Sequence, residues 1–458
     1  MSKTYRPWNP DQDLLLPPSP RDWLPEGDLV YFMLDVVKTL DLSAIIGKYE
    51  LEDRGFPPFH PRMMVTLLLY SYCLGAYSSR RIQKRCERDA AYRVIVGDDV
   101  PNFRTISDFR KLHLTELQGL FVQVLKLCAE AGMVKVGLVS LDGTKVKANA
   151  SRHKAMSYEY MQKEEERLRK EIAELLGKAQ SADDAEDALH GPDARGDELP
   201  EELARRETRL AKIQEAKKAL EEQALAAAQA EEERRRIEDE THRQAGESPR
   251  PRKPVDPTPD PKAQRNFTDP ESKIMKVPNK GFDQCGNAQA VANEEQVILA
   301  ADVTAEANDK RQVKPMTGQA QENLQAAGVE EKIGALDGDS GYYSEDNVSF
   351  LEGEKIDPYL ATERLKHHEK IALASEEGVL QDLTPKQKMA HKLRTKKGRE
   401  TYAKRKGMIE PIFGQIKQAR GFRQFLLRGL EKMRAEWRLI CLTHNLLKLF
   451  RSEQRVVA

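Results

Sequence analysis

Cysteine is scarce in this 458-residue chain, and the five present (Cys73, Cys86, Cys128, Cys285 and Cys441) lie far apart with no C-x-x-C pair. That excludes a zinc ribbon and argues against a disulfide framework, so a reducing cytosol is expected. A long apolar run is missing too. The most apolar stretch, Met63 to Tyr77, is interrupted by Thr66, Ser71 and Gly75 and is too short for the roughly 20 residues that span a bilayer. The opening residues, MSKTYRPWNP, hold no apolar core of a signal peptide. Neither charge is in excess: 74 Lys and Arg balance 74 Asp and Glu, so net charge identifies no partner. These absences predict a cytoplasmic protein with no membrane partner, long enough for roughly two to four domains.

What is present is an uneven distribution of charge. From Lys386 to Arg438 there are 17 Lys and Arg, 4 Glu and no Asp, a face suited to a phosphate backbone. Inside it, TYAKRKGMIEPIFGQIK sets Glu410 among Tyr402, Arg405 and Lys417. A lone carboxylate weakens anion binding there unless a metal ion sits between it and the phosphate. The tension points to metal-dependent chemistry on DNA.

Residues 1–27 are Pro-rich and read as an extended arm with Trp8 and Trp23 as docking points. Residues 28–132 read as all-α. Leu29, Val30, Phe32, Met33, Val36, Val37 and Leu40 recur at helical spacing. A second helix is predicted from about Pro61 to Leu74, then a Gly75-Ala76-Tyr77 turn, then a helix capped by Ser78 or Ser79. That helix puts Arg80, Arg81, Lys84, Arg85 and Arg88 on one face. Two helices, a short Gly-containing turn and a basic second helix outline a helix-turn-helix for DNA. A solvated face on an ordinary bundle is the plain alternative. Thr105-Ile-Ser-Asp108 resembles a capping box that opens a helix to about Ala131.

At Val134 the pattern turns β-branched. VKVGLVSLDGTKVKANA predicts a strand that breaks at Asp142-Gly143, and Gly281–Thr304 gives a second β-like stretch. A short strand, Ile333–Leu336, leads into Asp337-Gly-Asp339, and Ile356–Ala361 gives another after a helical piece. Strands alternating with helices predict an α/β domain with a mixed sheet over 133–156 and 265–458. Residues 157–264 interrupt it. Met161, Leu168, Ile172 and Leu175 form one helical seam, and Leu203, Leu210, Ile213, Leu220 and Ala224 a second. The segment between them, SADDAEDALHGPDARGDELP, reads as a mobile acidic loop, and the exit, GESPRPRKPVDPTPDPK, as a semi-rigid linker. This predicts a helical-hairpin insertion after the first strand, equally a plain spacer or a dimerising or DNA-clamping arm.

Asp142, Asp339 and Glu410 are the candidate metal ligands. Ligands of open α/β sheets collect beyond the carboxyl ends of strands, so Asp142 and Asp339 converge if their strands are parallel neighbours. Oxygen donors without nearby His or Cys select Mg²⁺ or Mn²⁺. Two such ions can carry an in-line phosphoryl transfer. Asp337 competes with Asp339, and Asp302 also ends an apolar strand. Asp309 reads as a helix cap, and Glu410 has Lys406 four residues before it as an ordinary ion-pair partner. Ile409, Ile412, Phe413 and Ile416 make the buried stripe of the helix. Pro411 predicts a kink or a fresh start near Glu410.

SLDGTKVKANAS around Asp142, DSGYYSEDN from Asp339 and the series Tyr402, Arg405, Glu410, Lys417 resemble the DDE-class transposases of bacterial insertion sequences. The spacing Y-x2-R-x4-E-x6-K has one residue more between Arg and Glu than the best-known form of that signature. DPESKIMK, NAQAVAN and GFRQFLLRGLEKMRAEWRLICLTHNLLKLF are also similar to one subgroup. The resemblance covers nearly the whole chain, least well over 157–264. It implies a ribonuclease H-like catalytic sheet, with Asp142, Asp339 and Glu410 holding two divalent ions for strand cleavage and strand transfer. It selects Asp339 over Asp337. It implies that Tyr402, Arg405 and Lys417 contact end DNA, with Arg80, Arg81, Lys84 and Arg85 as the separate DNA-binding face read above. The expected partners are transposon ends and target DNA, with a dimer on DNA at the nucleoid. A stand-alone nuclease and a non-catalytic DNA-binding derivative are the alternatives.

Overall fold

The computed structural model describes residues 19–50, 57–97, 99–190, 201–244, 248, 252–277, 281–363 and 383–457. Most of the expected N-terminal arm, Trp8 included, lies outside them. Its described part holds a short 3₁₀ turn, Pro20–Trp23, and Trp23 is exposed. Among the described residues no helix is long and apolar enough to cross a membrane, and all five cysteines are free and buried.

Among the described residues seven helices follow. In α1 (Leu29–Thr39) the Asp28 carboxylate accepts the Val30 amide at 2.9 Å, and Val30, Met33, Val36 and Val37 are buried, as their spacing predicts. After α2 (Ser43–Glu50), α3 (Pro61–Cys73) starts on a proline and is buried at every residue from Met64 to Cys73. The Gly75 turn joins it to the basic α4 (Ser79–Arg88). Ser78 stands at the cap position of α4 but makes no capping hydrogen bond. Gly75 has φ +67°, and a Cβ there would lie 2.2 Å from the carbonyl oxygen of Arg420. Only glycine permits both that backbone and that approach.

After α5 (Ala90–Val96) the expected cap at Thr105 is corrected. Asn102 caps α6 (Phe103–Leu112), accepting the amides of Arg104 and Thr105, and a break at His113 separates it from α7 (Leu114–Glu130). An Asn at the cap position reaches the amides two and three residues on, whereas a threonine already inside the first turn cannot.

The sheet is mixed. β1 (Leu138–Lys147) runs antiparallel to β5 (Gly281–Asn293) and parallel to β7 (Ala335–Gly338), which is parallel to β8 (Asp357–Leu360). β4 (Lys273–Val277) and β6 (Ile298–Thr304) both pair antiparallel with β5. The single β-like stretch expected over Gly281–Thr304 is therefore a hairpin. The expected break at Asp142-Gly143 is absent, because β1 continues with Asp142 opposite Ala290 and Gly143 opposite Gln289. Antiparallel pairing on that side holds the strand extended through a dipeptide that, alone, favours a turn.

A small ladder of β2 (Ala155–Ser157) and β3 (Gln264–Asn266) forms the base of a helical hairpin. Its arms are α8 (Tyr158–His190) and α9 (Glu201–Gln244), with a private core of Met161, Leu168, Ile213, Ala216 and Leu220. The expected loop is partly helix, since α8 extends to His190 through Ala- and Leu-containing sequence with adequate helix propensity. Residues 191–200 and most of the exit segment's first half lie outside the described residues.

Beyond the sheet come α10 (Val313–Ala326), α11 (Glu345–Gly353), α12 (Pro385–Arg394), α13 (Lys396–Met408), α14 (Glu410–Gly414) and α15 (Leu430–Val457). α15 packs against α3, α7 and β6. One hydrophobic core runs from the N-terminal helices through the sheet into α15.

Candidate active site

Pairing between β1 and β7 ends at Leu141 opposite Gly338. Asp142 and Asp339 are the next residues on these two parallel neighbours, so the topology sets two carboxylates side by side where the parallel pairing stops. One layer below, Ser140 faces Asp337 and its hydroxyl donates to Asp337 Oδ2 at 2.8 Å. Asp337 is fully buried, and its Oδ1 has no hydrogen-bond partner among the described residues. Burial pushes its carboxyl up to about 7, against the Ser140 hydrogen bond and the nearby Arg405 charge. Asp339 is half-buried and accepts the Gly341 amide at 2.8 Å.

The third carboxylate arrives from a helix junction. α13 ends at Met408 and α14 begins at Glu410, with Pro411 in its first turn. The fresh start expected from Pro411 is present, because proline cannot donate to the preceding turn. A wide π turn, Gln415–Ala419, follows. Ile409, Ile412 and Ile416 are buried, and the half-buried Phe413 stacks on Trp437 with ring centroids 6.4 Å apart. This fixes the segment over the sheet.

Arg405 projects from α13 to the carboxylates. Its Nη2 lies 2.7 Å from Asp142 Oδ2 and its Nη1 3.9 Å from Glu410 Oε1. Arg405 and Asp142 are largely buried, whereas Glu410 is exposed. Burial holds the Asp142 carboxyl up at about 6; Arg405 opposes this, and the charges of Asp339 and Asp309 add to it. Tyr402, one turn before Arg405, is pushed up to about 12 by burial, with the charges of Asp339, Asp337 and Asp142 adding to it and Arg405 opposing. Lys417 donates to Thr144 Oγ1 at 2.8 Å and to the Lys145 carbonyl at 2.9 Å, tying the π turn to β1 just past Asp142.

Two further acids resolve differently. Asp302, on β6, pairs with Arg434 at 3.2 Å and Arg438 at 3.9 Å and belongs to the packing of α15. Asp309 stands before the 3₁₀ turn Lys310–Gln312 but its side chain makes no cap. It accepts instead from Asn287 Nδ2 at 2.6 Å and Gln289 Nε2 at 2.9 Å, with Lys145 Nζ at 3.5 Å. Gln289 in turn accepts from the Tyr342 hydroxyl. This polar shelf beside Asp142 and Asp339 was not anticipated. The only sequence signal was polar Asn and Gln alternating with alanine in NAQAVAN, a strand whose residues from Gln284 to Asn293 are all buried.

The carboxylates fit hard divalent cations in kind, being oxygen donors with no sulfur or imidazole among them. Among the described residues, no three His, Cys, Asp or Glu side chains stand close enough together to hold an ion. The cation at that place is the guanidinium of Arg405.

On α4, Arg80, Arg81, Lys84 and Arg88 are exposed and Arg85 is half-buried. Arg80 lies over the Phe103 ring at 4.9 Å and Arg85 over the Tyr92 ring at 5.6 Å, so these two also pack the helix.

The sheet, the paired aspartates and the flanking helices describe an α/β protein with an acidic site under a basic helical segment. Residues 18–112 match the family described as Transposase domain (DUF772), and residues 364–450 match Transposase DDE domain. Both matched families are transposase families, and together they support a DDE-class insertion-sequence transposase. Tyr402, Arg405, Glu410 and Lys417 fall inside the second match, while Asp142 and Asp339 lie between the two. Comparisons with curated proteins and with solved structures give no match.

Proposed function

We propose that this chain binds insertion-sequence ends and catalyses DNA strand cleavage and strand transfer, with Asp142, Asp339 and Glu410 as the ligands of two Mg²⁺ or Mn²⁺ ions on a ribonuclease H-like sheet. The observation that carries this reading is the adjacency of Asp142 and Asp339 at the end of the β1–β7 pairing, with Arg405 linking Asp142 to Glu410. When bound, the ions would stabilise charge on the phosphate and lower the pKa of water or a 3′-hydroxyl.

The chain's own residues supply the rest. Ser140 and the buried Asp337 brace the strand ends, and the Gly341 amide orients Asp339. Arg405 is a guanidinium able to move from carboxylate to phosphate, two anions with the same bidentate geometry. Tyr402 stays protonated at neutral pH and can donate to a phosphate oxygen. Lys417, held on β1, carries positive charge along the DNA path. α4 offers a second basic face for end recognition. The charge and the family matches favour a cytoplasmic, nucleoid-associated enzyme that acts on DNA as a dimer, since joining two ends needs two sites.

The test combines the purified chain, a labelled duplex taken from the DNA flanking its coding sequence, a plasmid target and Mn²⁺. Joined product supports the transposase, nicks alone support a nuclease, and retarded but intact DNA supports a binding protein. Glu410→Gln should abolish cleavage while leaving end binding in place; normal cutting by this variant would remove Glu410 from the site.

A further inference from the structure

At the far end of β1 lies a second, concave basic site. A cavity of about 630 Å³ is lined by Lys147, Arg152, His153, Lys154, Phe282 and Arg428, among others. Four stretches distant in sequence build it: the end of β1 and the turn after it, Thr268 between β3 and β4, the start of β5, and the loop before α15. Among the described residues its only lining carboxylate, Asp283, is already paired with Lys147 at 2.9 Å. Among the described residues no carboxylate pairs with Arg152, Lys154 or Arg428.

The walls are built before any ligand arrives. The chain around Lys147 is stitched to the loop before α15 by Lys147 N to Arg423 O at 3.2 Å and Phe425 N to Lys147 O at 2.8 Å. Asn149 Nδ2 donates to Leu426 O at 2.6 Å, and Arg428 Nε donates back to Asn149 O at 3.0 Å. That engages one of the five guanidinium N–H groups of Arg428. The buried Asn266 donates to Ser151 O at 2.8 Å, and Ser151 Oγ accepts the His153 amide, which fixes the turn bearing Arg152 and Lys154. Phe282 is 58% exposed beside these cations. Cations carried on a pre-built concave wall suit a polynucleotide backbone, whose phosphates match them in charge.

We infer that this cavity is a second DNA-backbone site, gripping the duplex next to the point of cleavage. The inference rests on the transposase reading for the position of the reacting phosphate. Lys147 lies five residue steps along β1 from Asp142, about 17 Å at roughly 3.4 Å per step. With the duplex axis laid along β1, a rise of about 3.4 Å per base pair puts the phosphate held here about five base pairs from the one at the carboxylates. Lys417, bonded to β1 at Thr144 and Lys145, lies along that line.

The test uses the full chain with Arg152→Ala/Lys154→Ala, both exposed positions. Binding is read by fluorescence anisotropy across a salt series, on the flanking-sequence duplex and on a random-sequence duplex, with phosphate-ethylation interference on the first. The double variant should flatten the slope of log K against log salt by about 1.8, two released counterions at about 0.9 each. It should also erase interference at phosphates about five base pairs from the cut. Flattening on both duplexes assigns the cavity to DNA in general, and on the flanking duplex alone to the element end; either supports the site. A wild-type chain that cuts and joins DNA while the double variant keeps its slope and interference pattern overturns the cavity and leaves the transposase reading. Loss of slope in a chain that neither cuts nor joins supports the cavity and removes that reading.

Discussion

Arg405 and Asp142 form a 2.7 Å ion pair in the place where the acidic site would hold a cation. The same guanidinium is 3.9 Å from Glu410, so one positive charge stands beside two of the three proposed ligands. Arg405→Ala should therefore raise the affinity of the DNA-free chain for Mn²⁺ by about tenfold or more, since a unit charge near 4 Å is worth several kcal/mol at intermediate dielectric. Calorimetric titration checks this without any reaction. Unchanged affinity would mean that Arg405 does not compete for the site.

The basic face of α4 predicts a salt effect. Changing Arg80, Arg81, Lys84 and Arg85 to Ala should weaken end binding and flatten its salt dependence. Arg80 and Arg85 also cover aromatic rings, so a thermal-unfolding control accompanies the titration. The exposed pair Arg81→Ala/Lys84→Ala should flatten the slope with the melting temperature kept. An unchanged slope in that pair would move recognition to another surface.

Gly143 predicts a cost in packing and in cleavage. A Cβ there would lie 2.3 Å from Gln289 Nε2 and 3.1 Å from Asn287 Oδ1. Gly143→Ala should displace Gln289 from Asp309 and Tyr342, at about 1–3 kcal/mol of stability. Because Asp142 is the preceding residue, cleavage should fall more than end binding. Equal activity with equal stability would show that the polar shelf yields freely.

Glu436 predicts a pH dependence away from the site. It is buried and accepts the amides of Leu426 and Leu427, and burial lifts its carboxyl to about 7, against those two amides and the charge of Arg110. A folded pKa above the unfolded one favours folding while the group is protonated. That stability is complete below about pH 4 and lost as pH rises through about 7, at most about 3 kcal/mol. Glu436→Gln keeps the acceptor and removes the charge. Denaturation midpoints of the variant and wild type should agree near pH 4 and separate near pH 8 in the variant's favour. A constant difference across that range would refute a buried ionisation.

Some of the site was legible because it depends on local chemistry. Pro411 marks a helix restart by its missing N–H, and the restart lies at Glu410. The isoleucine stripe reads from helical periodicity and is buried. Asp142-Gly143 misled because a turn-forming dipeptide becomes strand when β5 pairs with it, and its glycine serves Gln289 instead. Asp309 misled similarly: a cap position is a local property, but its carboxylate is claimed by side chains from β5. The closeness of Arg405 to Asp142 had no signature, since it needs α13 laid across β1.

By itself the sequence determined the helical and strand periods, the basic C-terminal segment, the lone Glu410 within it and the two stretches that match transposase families. Those follow from spacing and charge, which act between near neighbours along the chain. Tertiary structure alone decided that β1 and β7 are parallel neighbours, that Asp142 and Asp339 adjoin, and that Arg405 stands between Asp142 and Glu410. Strand order and helix docking are set by burying one shared core, and that energy belongs to contacts between distant residues rather than to any segment.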